Sequence, residues 1–361
     1  MDFFKAVFGR KKRLPSRVIK RRRSAKANSL SFQLLETRNL LAGIYFSSGE
    51  VTIAGDASSN IGFFIDFDSE TYRARLDGFA DQNFTKASVS KVIFIGFDGD
   101  DQFTNETAVE SLMLGNDGND LLTGGPGIDV ANGGNGADTI FGEGGADRLL
   151  GGLGADEIYG GGGADRIFGG DGENRLYGDD DADLIFGGAD IDTISGGDGA
   201  DQVFPLGGDD VVDLGDGGLP GATDPVDADL VLGGIGNDVF TGGLGLNIFY
   251  GGDGDDLFTG GDGENRMHGQ NGNDSLISGA SNDYLAGQIG DDTISGGGGN
   301  DYIIPGFGDD IVDAGGGNDF VVFGFAFNRF NITISGSDLV IDDTVDVEGT
   351  DLAGGTENFR F

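Results

Sequence analysis

The amino-acid sequence predicts an all-β fold, a right-handed parallel β-roll built as a nonapeptide solenoid with an N-terminal and a C-terminal β cap. Three observations predict it. A nine-residue pattern repeats through most of the chain, glycine supplies 72 of the 361 residues, and one apolar side chain recurs in every repeat. A short fixed period of this kind is typical of a solenoid, in which each repeat packs only on its neighbours.

The clearest repeats lie in residues 133–168 and read GGNGADTIF, GEGGADRLL, GGLGADEIY and GGGGADRIF. Strict register runs from 115 to 213 as 11 repeats and resumes from 224 to 322 as another 11. We therefore predict one repeat domain over 115–322, interrupted by a ten-residue insertion at 214–223. We expect the insertion to form a single surface loop, and a hinge between two rolls is the alternative.

The segments on either side of the repeats alternate apolar and polar residues without the glycine period, as short β-strands do. Residues 44–114 are predicted to form the N-terminal cap and residues 323–361 the C-terminal cap. Gly99, Asp101 and Phe103 already fit the nonapeptide, before the register slips by one residue. Caps are expected because the end coils of a solenoid would otherwise expose a sheet edge and an apolar face.

Charge divides the chain sharply. Residues 1–26 carry 11 of the 22 basic residues and one acid, which leaves a net charge of −50 on the remainder. Such an acidic body repels nucleic acid, so no nucleic-acid partner is expected. No apolar run is long enough for a transmembrane segment or a standard signal peptide. There is no cysteine and His268 is the single histidine, which excludes disulfides, thiolate sites and zinc sites built on several histidines.

Residues 1–43 are predicted to be a basic leader, and the stretch SLSFQLLETRNLLAG within it resembles the LEPR-XLL motif of exported and surface proteins of bacteria. Thr37 stands where that motif has proline. The resemblance implies export, whereas physical chemistry alone equally fits a short amphipathic helix after a basic tail. The matching residues are Leu35, Glu36, Arg38, Leu40 and Leu41.

The sixth position of the repeat carries a side-chain oxygen in all 22 repeats, as Asp in 19 and as Asn in the other three. Two nonapeptides complete one coil, so sixth positions 18 residues apart would stack at about 4.8 Å. Carboxylates that close repel one another by several kcal/mol unless a cation lies between them. Carboxylate and backbone carbonyl oxygens, without nitrogen or sulfur donors, are calcium ligands.

The sequence therefore predicts multiple bound Ca²⁺ ions and folding that depends on them. The predicted metal ligands are Asp120, Asp129, Asp138, Asp147, Asp156, Asp165, Asp183, Asp192, Asp201, Asp210, Asp229, Asp238, Asp256, Asp274, Asp283, Asp292, Asp301, Asp310 and Asp319. Weaker sites are expected at Asn174, Asn247 and Asn265, and where Asp181 and Asp190 replace the fourth-position glycine.

Repeats such as GGNGADTIF and GGDGADQVF resemble those of the RTX, or haemolysin-type calcium-binding, family over residues 115–322. The resemblance implies a parallel β-roll, calcium bound by the sixth-position aspartates, and secretion from bacteria. The ending GTD…ENFRF is similar to the segment that closes many such arrays.

The function expected from these observations is that of a secreted or surface-associated calcium-binding repeat protein, with a structural or adhesive role outside the cell. The alternative is a non-catalytic remnant or accessory module of an RTX exoenzyme or toxin. No enzyme is expected, because the cap over 44–114 is too short for a protease or lipase domain and no GxSxG occurs. Ice binding is not favoured, since no regular threonine row exists.

The ninth position of the first half carries two aromatic rows, Phe141, Tyr159 and Tyr177 on one face and Phe168, Phe186 and Phe204 on the other. We expect these rows in the first half alone. One interpretation is stacking that stiffens each sheet. The other is a binding face for cell-surface polysaccharide or matrix, aided by Arg148, Arg166 and Arg175.

Overall fold

A computed structural model describes residues 42–66, 69–215 and 228–323, together with the backbone of four strands between 330 and 360. The LEPR-XLL-like stretch and nearly all of the predicted leader lie outside the described residues. No α-helix occurs in the described ranges, and one short 3₁₀ turn spans Lys86–Ser88. None of the described segments is a helix long and apolar enough to span a membrane.

The strands, in chain order, are β1 (Gly43–Ser47), β2 (Glu50–Ala54), β3 (Ile61–Asp66), β4 (Thr71–Leu76), β5 (Gln82–Thr85), β6 (Lys91–Asp98), β7 (Gln102–Asn105), β8 (Ser111–Asp117), β9 (Leu121–Thr123), β10 (Asp129–Asn135), β11 (Thr139–Phe141), β12 (Arg148–Leu153), β13 (Glu157–Gly162), β14 (Arg166–Asp171), β15 (Arg175–Asp180), β16 (Leu184–Gly188), β17 (Thr193–Asp198), β18 (Gln202–Gly207), β19 (Val211–Asp213), β20 (Ala228–Ile235), β21 (Val239–Thr241), β22 (Leu246–Asp253), β23 (Leu257–Thr259), β24 (Asn265–Asn271), β25 (Ser275–Ile277), β26 (Tyr284–Ile289), β27 (Thr293–Ser295), β28 (Tyr302–Phe307), β29 (Ile311–Asp313), β30 (Phe320–Val322), β31 (Phe330–Ser335), β32 (Asp338–Asp343), β33 (Thr350–Gly354) and β34 (Asn358–Arg360).

The strands form two sheets, and successive strands of the repeat region alternate between them. Sheet A has the order β1-β2-β6-β8-β10-β12-β14-β16-β18-β20-β22-β24-β26-β28-β30-β34. Sheet B runs β5-β4-β3-β7-β9-β11-β13-β15-β17-β19-β21-β23-β25-β27-β29-β33-β32-β31. Ile140 pairs with Ile158 in sheet B and Leu149 with Ile167 in sheet A, each in parallel. The predicted 18-residue coil and parallel β-roll are therefore confirmed.

The ladder of strands continues across the predicted insertion. Gln202 pairs with Leu230 and Val211 with Val239, so both sheets skip 28 residues here and keep their parallel order. Leu214 is buried, and its N–H donates to the Thr241 carbonyl at 2.9 Å as a first-position residue does in other coils. The extra length consequently falls between Gly215 and Ala228, and residues 216–227 lie outside the described residues.

Both ends of the roll carry antiparallel strands. At the N-terminal end β1 pairs with β2, and β3, β4 and β5 form a meander. At the other end β31, β32 and β33 form a second meander. Phe103 pairs with Leu122, an offset of 19, which confirms the predicted one-residue slip.

The eighth-position side chains form the core between the sheets. All of them are at most 2% exposed, from Leu122 to Val321. Ala131 is the smallest, whereas Phe240, Phe249 and Phe258 pack together with ring centroids 5.1 to 5.9 Å apart. Because successive side chains of a strand point to opposite faces of the sheet, the seventh and ninth positions beside each buried eighth position face outward.

Candidate metal sites at the turns of the roll

The predicted metal ligands lie at the two turns that connect the sheets, and every one of them is at most 3% exposed. They form two columns. The A-turn ladder, whose members lead into sheet A, contains Asp129, Asp147, Asp165, Asp183, Asp201, Asp229, Asn247, Asn265, Asp283, Asp301 and Asp319. The B-turn ladder, whose members lead into sheet B, contains Asp120, Asp138, Asp156, Asn174, Asp192, Asp210, Asp238, Asp256, Asp274, Asp292 and Asp310.

Glycine shapes most of the turns because the backbone there enters the left-handed region at the second or the fourth position. Gly152 has φ 125° and Gly154 has φ 130°, a conformation that a side chain with a Cβ disfavours. Where Asp181 replaces the fourth-position glycine, the backbone keeps this conformation at φ 76°. The turn at Asp181 therefore keeps the regular path, whereas Asp190, the other fourth-position aspartate, does not have a positive φ.

One carboxylate oxygen of each ladder aspartate accepts a backbone N–H of the preceding coil. The Asp120 N–H donates to Asp138 Oδ1 at 2.7 Å, and the Asp129 N–H donates to Asp147 Oδ1 at 2.7 Å. The pattern crosses the insertion, where the Asp210 N–H donates to Asp238 Oδ1 at 2.9 Å. Each carboxylate thus ties its coil to the preceding one.

The second carboxylate oxygen has no such partner in most coils. Within residues 42–66, 69–215 and 228–323, the buried Oδ2 atom accepts no hydrogen bond at Asp101, Asp120, Asp138, Asp147, Asp156, Asp165, Asp183, Asp192, Asp210, Asp238, Asp256, Asp274, Asp283, Asp292, Asp301 and Asp319. An orphaned, buried, charged oxygen is costly unless a cation meets it. Asp129 differs, since its Oδ2 accepts the Gly125 N–H at 2.8 Å.

In most of these repeats the first position is glycine, and the orphaned oxygen lies over it. A Cβ on Gly115 would collide with Asp120 Oδ2 and would lie 2.6 Å from the Gly133 carbonyl oxygen. On Gly151 it would meet Asp156 Oδ2 and lie 2.6 Å from the Gly169 carbonyl oxygen. The missing side chain therefore leaves a cradle in which a carboxylate and a carbonyl of the next coil converge. This oxygen donor set fits a hard cation such as calcium.

Burial raises the pKa of these carboxyl groups, and the neighbouring carboxylates of the ladder raise it further. The pKa of Asp138 rises to about 7, and those of Asp147, Asp183 and Asp292 rise to about 8. The folded state holds these protons more tightly than the unfolded chain. In the absence of a cation, the contribution of these carboxyl groups to the stability of the fold is therefore fully present below about pH 4 and is lost as the pH rises to about 8. At neutral pH a cation bound beside the carboxylates would remove this penalty.

No three His, Cys, Asp or Glu side chains converge on one point anywhere in the part of the chain that the structure describes. The candidate sites at Gly115 and Gly151 instead combine one carboxylate with a backbone carbonyl oxygen of the next coil. This is the mixture that the sequence predicted, and it disfavours metals that prefer nitrogen or sulfur ligands.

The ladders begin earlier than the predicted ligands. Asp101 belongs to the B-turn ladder, because its N–H donates to Asp120 Oδ1 at 2.7 Å. Asn60 precedes it and donates its N–H to Asp101 Oδ1 at 2.7 Å. The signal in the sequence is weak, since GDASSN at 55–60 keeps only the first-position Gly55 and a sixth-position amide.

The predicted aromatic rows of the first half are present on the outer faces. Tyr159 stacks on Phe141 at 4.8 Å and on Tyr177 at 4.6 Å in sheet B, while Phe186 stacks on Phe168 at 5.0 Å and on Phe204 at 4.8 Å in sheet A.

The expectation that the first half alone has such rows was wrong. In the second half Tyr250 stacks on His268 at 4.6 Å and Tyr284 on Tyr302 at 5.7 Å. Tyr284 and Tyr302 occupy the seventh position, which also faces outward, so a count of ninth positions does not find them.

Comparison with known families matches the model described as the RTX calcium-binding nonapeptide repeat (4 copies). The matches cover residues 114–149, 141–176, 177–212, 227–258, 259–294, 268–303 and 287–321, together more than half of the chain. A search of curated proteins gave no match. The coverage, the nonapeptide register and the parallel roll agree, and the chain belongs to the family of RTX calcium-binding nonapeptide repeat proteins.

Proposed function

We propose that this calcium-binding repeat protein folds when calcium fills the two turn ladders, and that the predicted sixth-position aspartates are the ligands. The observation that carries the proposal is the buried Oδ2 atom without a hydrogen bond, repeated beside a first-position glycine along both ladders. Leaving so many ionised groups unpaired would cost more than the modest stability of a folded chain. Calcium binding is then part of the folding free energy.

The proposed place of action is outside the cell, on the bacterial surface or in the medium. Extracellular calcium modules bind in the range of about 10⁻⁴ to 10⁻³ M, so the chain would remain unfolded in a calcium-poor cytosol and fold after export. The net charge of −40 keeps such an unfolded chain expanded and soluble.

A structural and adhesive role is proposed for the folded roll. Its outer faces carry stacked rings that are partly exposed, and Arg148 places its guanidinium 5.1 Å from the centre of the Phe168 ring. Tyr159 Oη donates to Glu157 Oε1 at 2.9 Å, which fixes the ring direction. Ordered aromatic rings flanked by charged side chains suit the apolar faces and hydroxyl groups of a polysaccharide.

A titration of chelated protein with calcium tests both parts of the proposal. The far-UV circular dichroism should gain a strong β-type signal with calcium, and magnesium at the same concentration should not replace it. A spectrum indifferent to calcium would refute calcium-driven folding. In the Tyr159→Ser, Tyr177→Ser double variant the calcium response should persist while attachment to cells or polysaccharide is lost. Unchanged attachment would exclude this aromatic row as the adhesive face.

A further inference from the structure

Asparagine at the sixth position makes contacts that aspartate cannot make. Asn265 Nδ2 donates to the carbonyl oxygens of Gly261 at 3.1 Å and Gly263 at 2.9 Å, the second and fourth residues of its own turn. It also lies 3.2 Å from Asp283 Oδ1 in the next coil. These three acceptors fix the orientation of the amide, because a flipped side chain would direct an oxygen at three oxygens.

Asn60 and Asn247 make the same three kinds of contact, and Asn174 makes one of them. Asn60 Nδ2 donates to the carbonyl oxygens of Asp56 at 3.3 Å and Ser58, and to Asp101 Oδ1 at 3.0 Å. Asn174 Nδ2 donates to the Gly172 carbonyl at 2.9 Å. Asn247 Nδ2 donates to the carbonyls of its own second and fourth positions at 3.4 Å and to Asn265 Oδ1 at 3.0 Å.

The amide nitrogen stands where the orphaned carboxylate oxygen stands in the other coils. A Cβ on Gly260 would lie 2.7 Å from Asn265 Nδ2, and a Cβ on Gly160 would lie 2.6 Å from Asp165 Oδ2. At this place the carboxylate meets carbonyl oxygens and is repelled, whereas the amide meets them as a donor. The turn carbonyls that surround Asn265 are consequently satisfied without a cation.

We propose that a turn with asparagine at the sixth position folds without binding calcium, because the amide N–H groups donate to the turn carbonyls that would otherwise contact the cation. The inference rests on the proposed calcium binding and adds that the turns with a sixth-position asparagine bind no calcium. Asn247 and Asn265 follow one another on the A-turn ladder and form a calcium-free clasp, defined as these two residues and their turns. Asn60 closes the N-terminal end of the B-turn ladder in the same way.

The clasp also changes the ladder around it. The Asn247 N–H donates to the Glu264 carbonyl at 3.0 Å and not to the side chain of the next coil, and Asn247 Oδ1 accepts no hydrogen bond from the described residues. Asn265 restores the usual pattern, since its N–H donates to Asp283 Oδ1 at 2.7 Å. The carboxylate ladder is thus interrupted at the clasp, and calcium-binding coils lie on both sides of it.

The experiment counts calcium bound per chain, by equilibrium dialysis and elemental analysis at saturating calcium, in full-length variants. The Asn247→Asp, Asn265→Asp double variant replaces both amides by carboxylates. It should bind about two more ions than the wild type, and its folding midpoint should move to higher calcium. The matched variant Asp283→Asn, Asp301→Asn on the same ladder should bind about two fewer ions and should still reach the folded circular dichroism spectrum.

If the Asn247→Asp, Asn265→Asp variant does not fold, the calcium count of the Asp283→Asn, Asp301→Asn variant tests the proposal. An unchanged count in either variant that folds, or fewer ions in the first, would overturn the inference while the wild type still binds calcium. A wild type that binds no calcium would overturn the proposed function itself, and the inference with it. The two failures are therefore distinguishable.

Discussion

The two halves of the roll, residues 115–213 and 224–322, share their strand pairing and their sixth-position ladders but differ at the fifth position of the turn. The first half carries mostly alanine there, at Ala137, Ala146, Ala155, Ala164, Ala182 and Ala200. The second half carries mostly amides and carboxylates, at Asn237, Asp255, Asn273, Asn282, Asp291, Asn300, Asp309 and Asn318.

These fifth-position side chains form a further ladder in the second half. Asp255 Oδ1 accepts the Asn273 N–H at 2.8 Å, and Asn273 Oδ1 accepts the Asp291 N–H at 2.7 Å. On the other turn Asn300 Oδ1 accepts the Asn318 N–H at 2.9 Å. These bonds need no cation, whereas alanine supplies no acceptor in the first half. The second half, which also contains the clasp, therefore has more hydrogen bonds that persist without calcium.

Withdrawal of calcium gives the largest contrast between the halves. Amide hydrogen exchange measured while free calcium is lowered should show the repeats of 115–213 opening first and those of 242–322 later. Each extra hydrogen bond contributes about 1 kcal/mol, so exchange in the first half should be at least about tenfold faster at intermediate calcium. Simultaneous opening of both halves would show that the fifth-position ladder does not distinguish them.

Gly151→Ala should break the first half at one coil. Its Cβ would collide with Asp156 Oδ2 and the Gly169 carbonyl, which we expect to cost about 3 kcal/mol and to abolish calcium binding at that turn. Because coils contact only their neighbours, exchange should rise around residue 151 and stay unchanged in the second half. Gly316→Ala is the control, since nothing lies within 4 Å of its Cβ; an equal loss there would point to a general glycine effect.

The nonapeptide register made the roll, the buried eighth position and the place of the nineteen aspartates predictable. Periodicity determines these features, because a coil of 18 residues puts like positions in contact. Ile140 and Ile158 could therefore be paired, and Asp138 placed beside Asp156, from their spacing alone. The one-residue shift of the repeat register after Phe103 was also predictable from the sequence, since one extra residue separates two otherwise regular turns.

The features that escaped prediction depend on contacts that the period does not encode. Asn60 joins the B-turn ladder through a turn that retains only two positions of the pattern. Tyr284 stacks outside the roll from the seventh position, because both flanks of a buried residue face outward. The role of Asn265 required the positions of the surrounding carbonyls, since sequence alone shows an amide only as a weaker ligand.

A change at the fifth position should have the smallest effect and tests the contrast most directly. In Asn273→Ala the Asp291 N–H loses its acceptor, so exchange at Asp291 should accelerate about fivefold, equivalent to about 1 kcal/mol. The reverse change, Ala155→Asn, supplies an acceptor to the next coil of the first half and should slow exchange there by a similar factor. The sixth-position residues, which are the proposed ligands, are untouched in both variants, so the calcium count should not change. A changed count would mean that the fifth position takes part in calcium binding, and the two halves would then differ in their metal sites and not only in their hydrogen bonds.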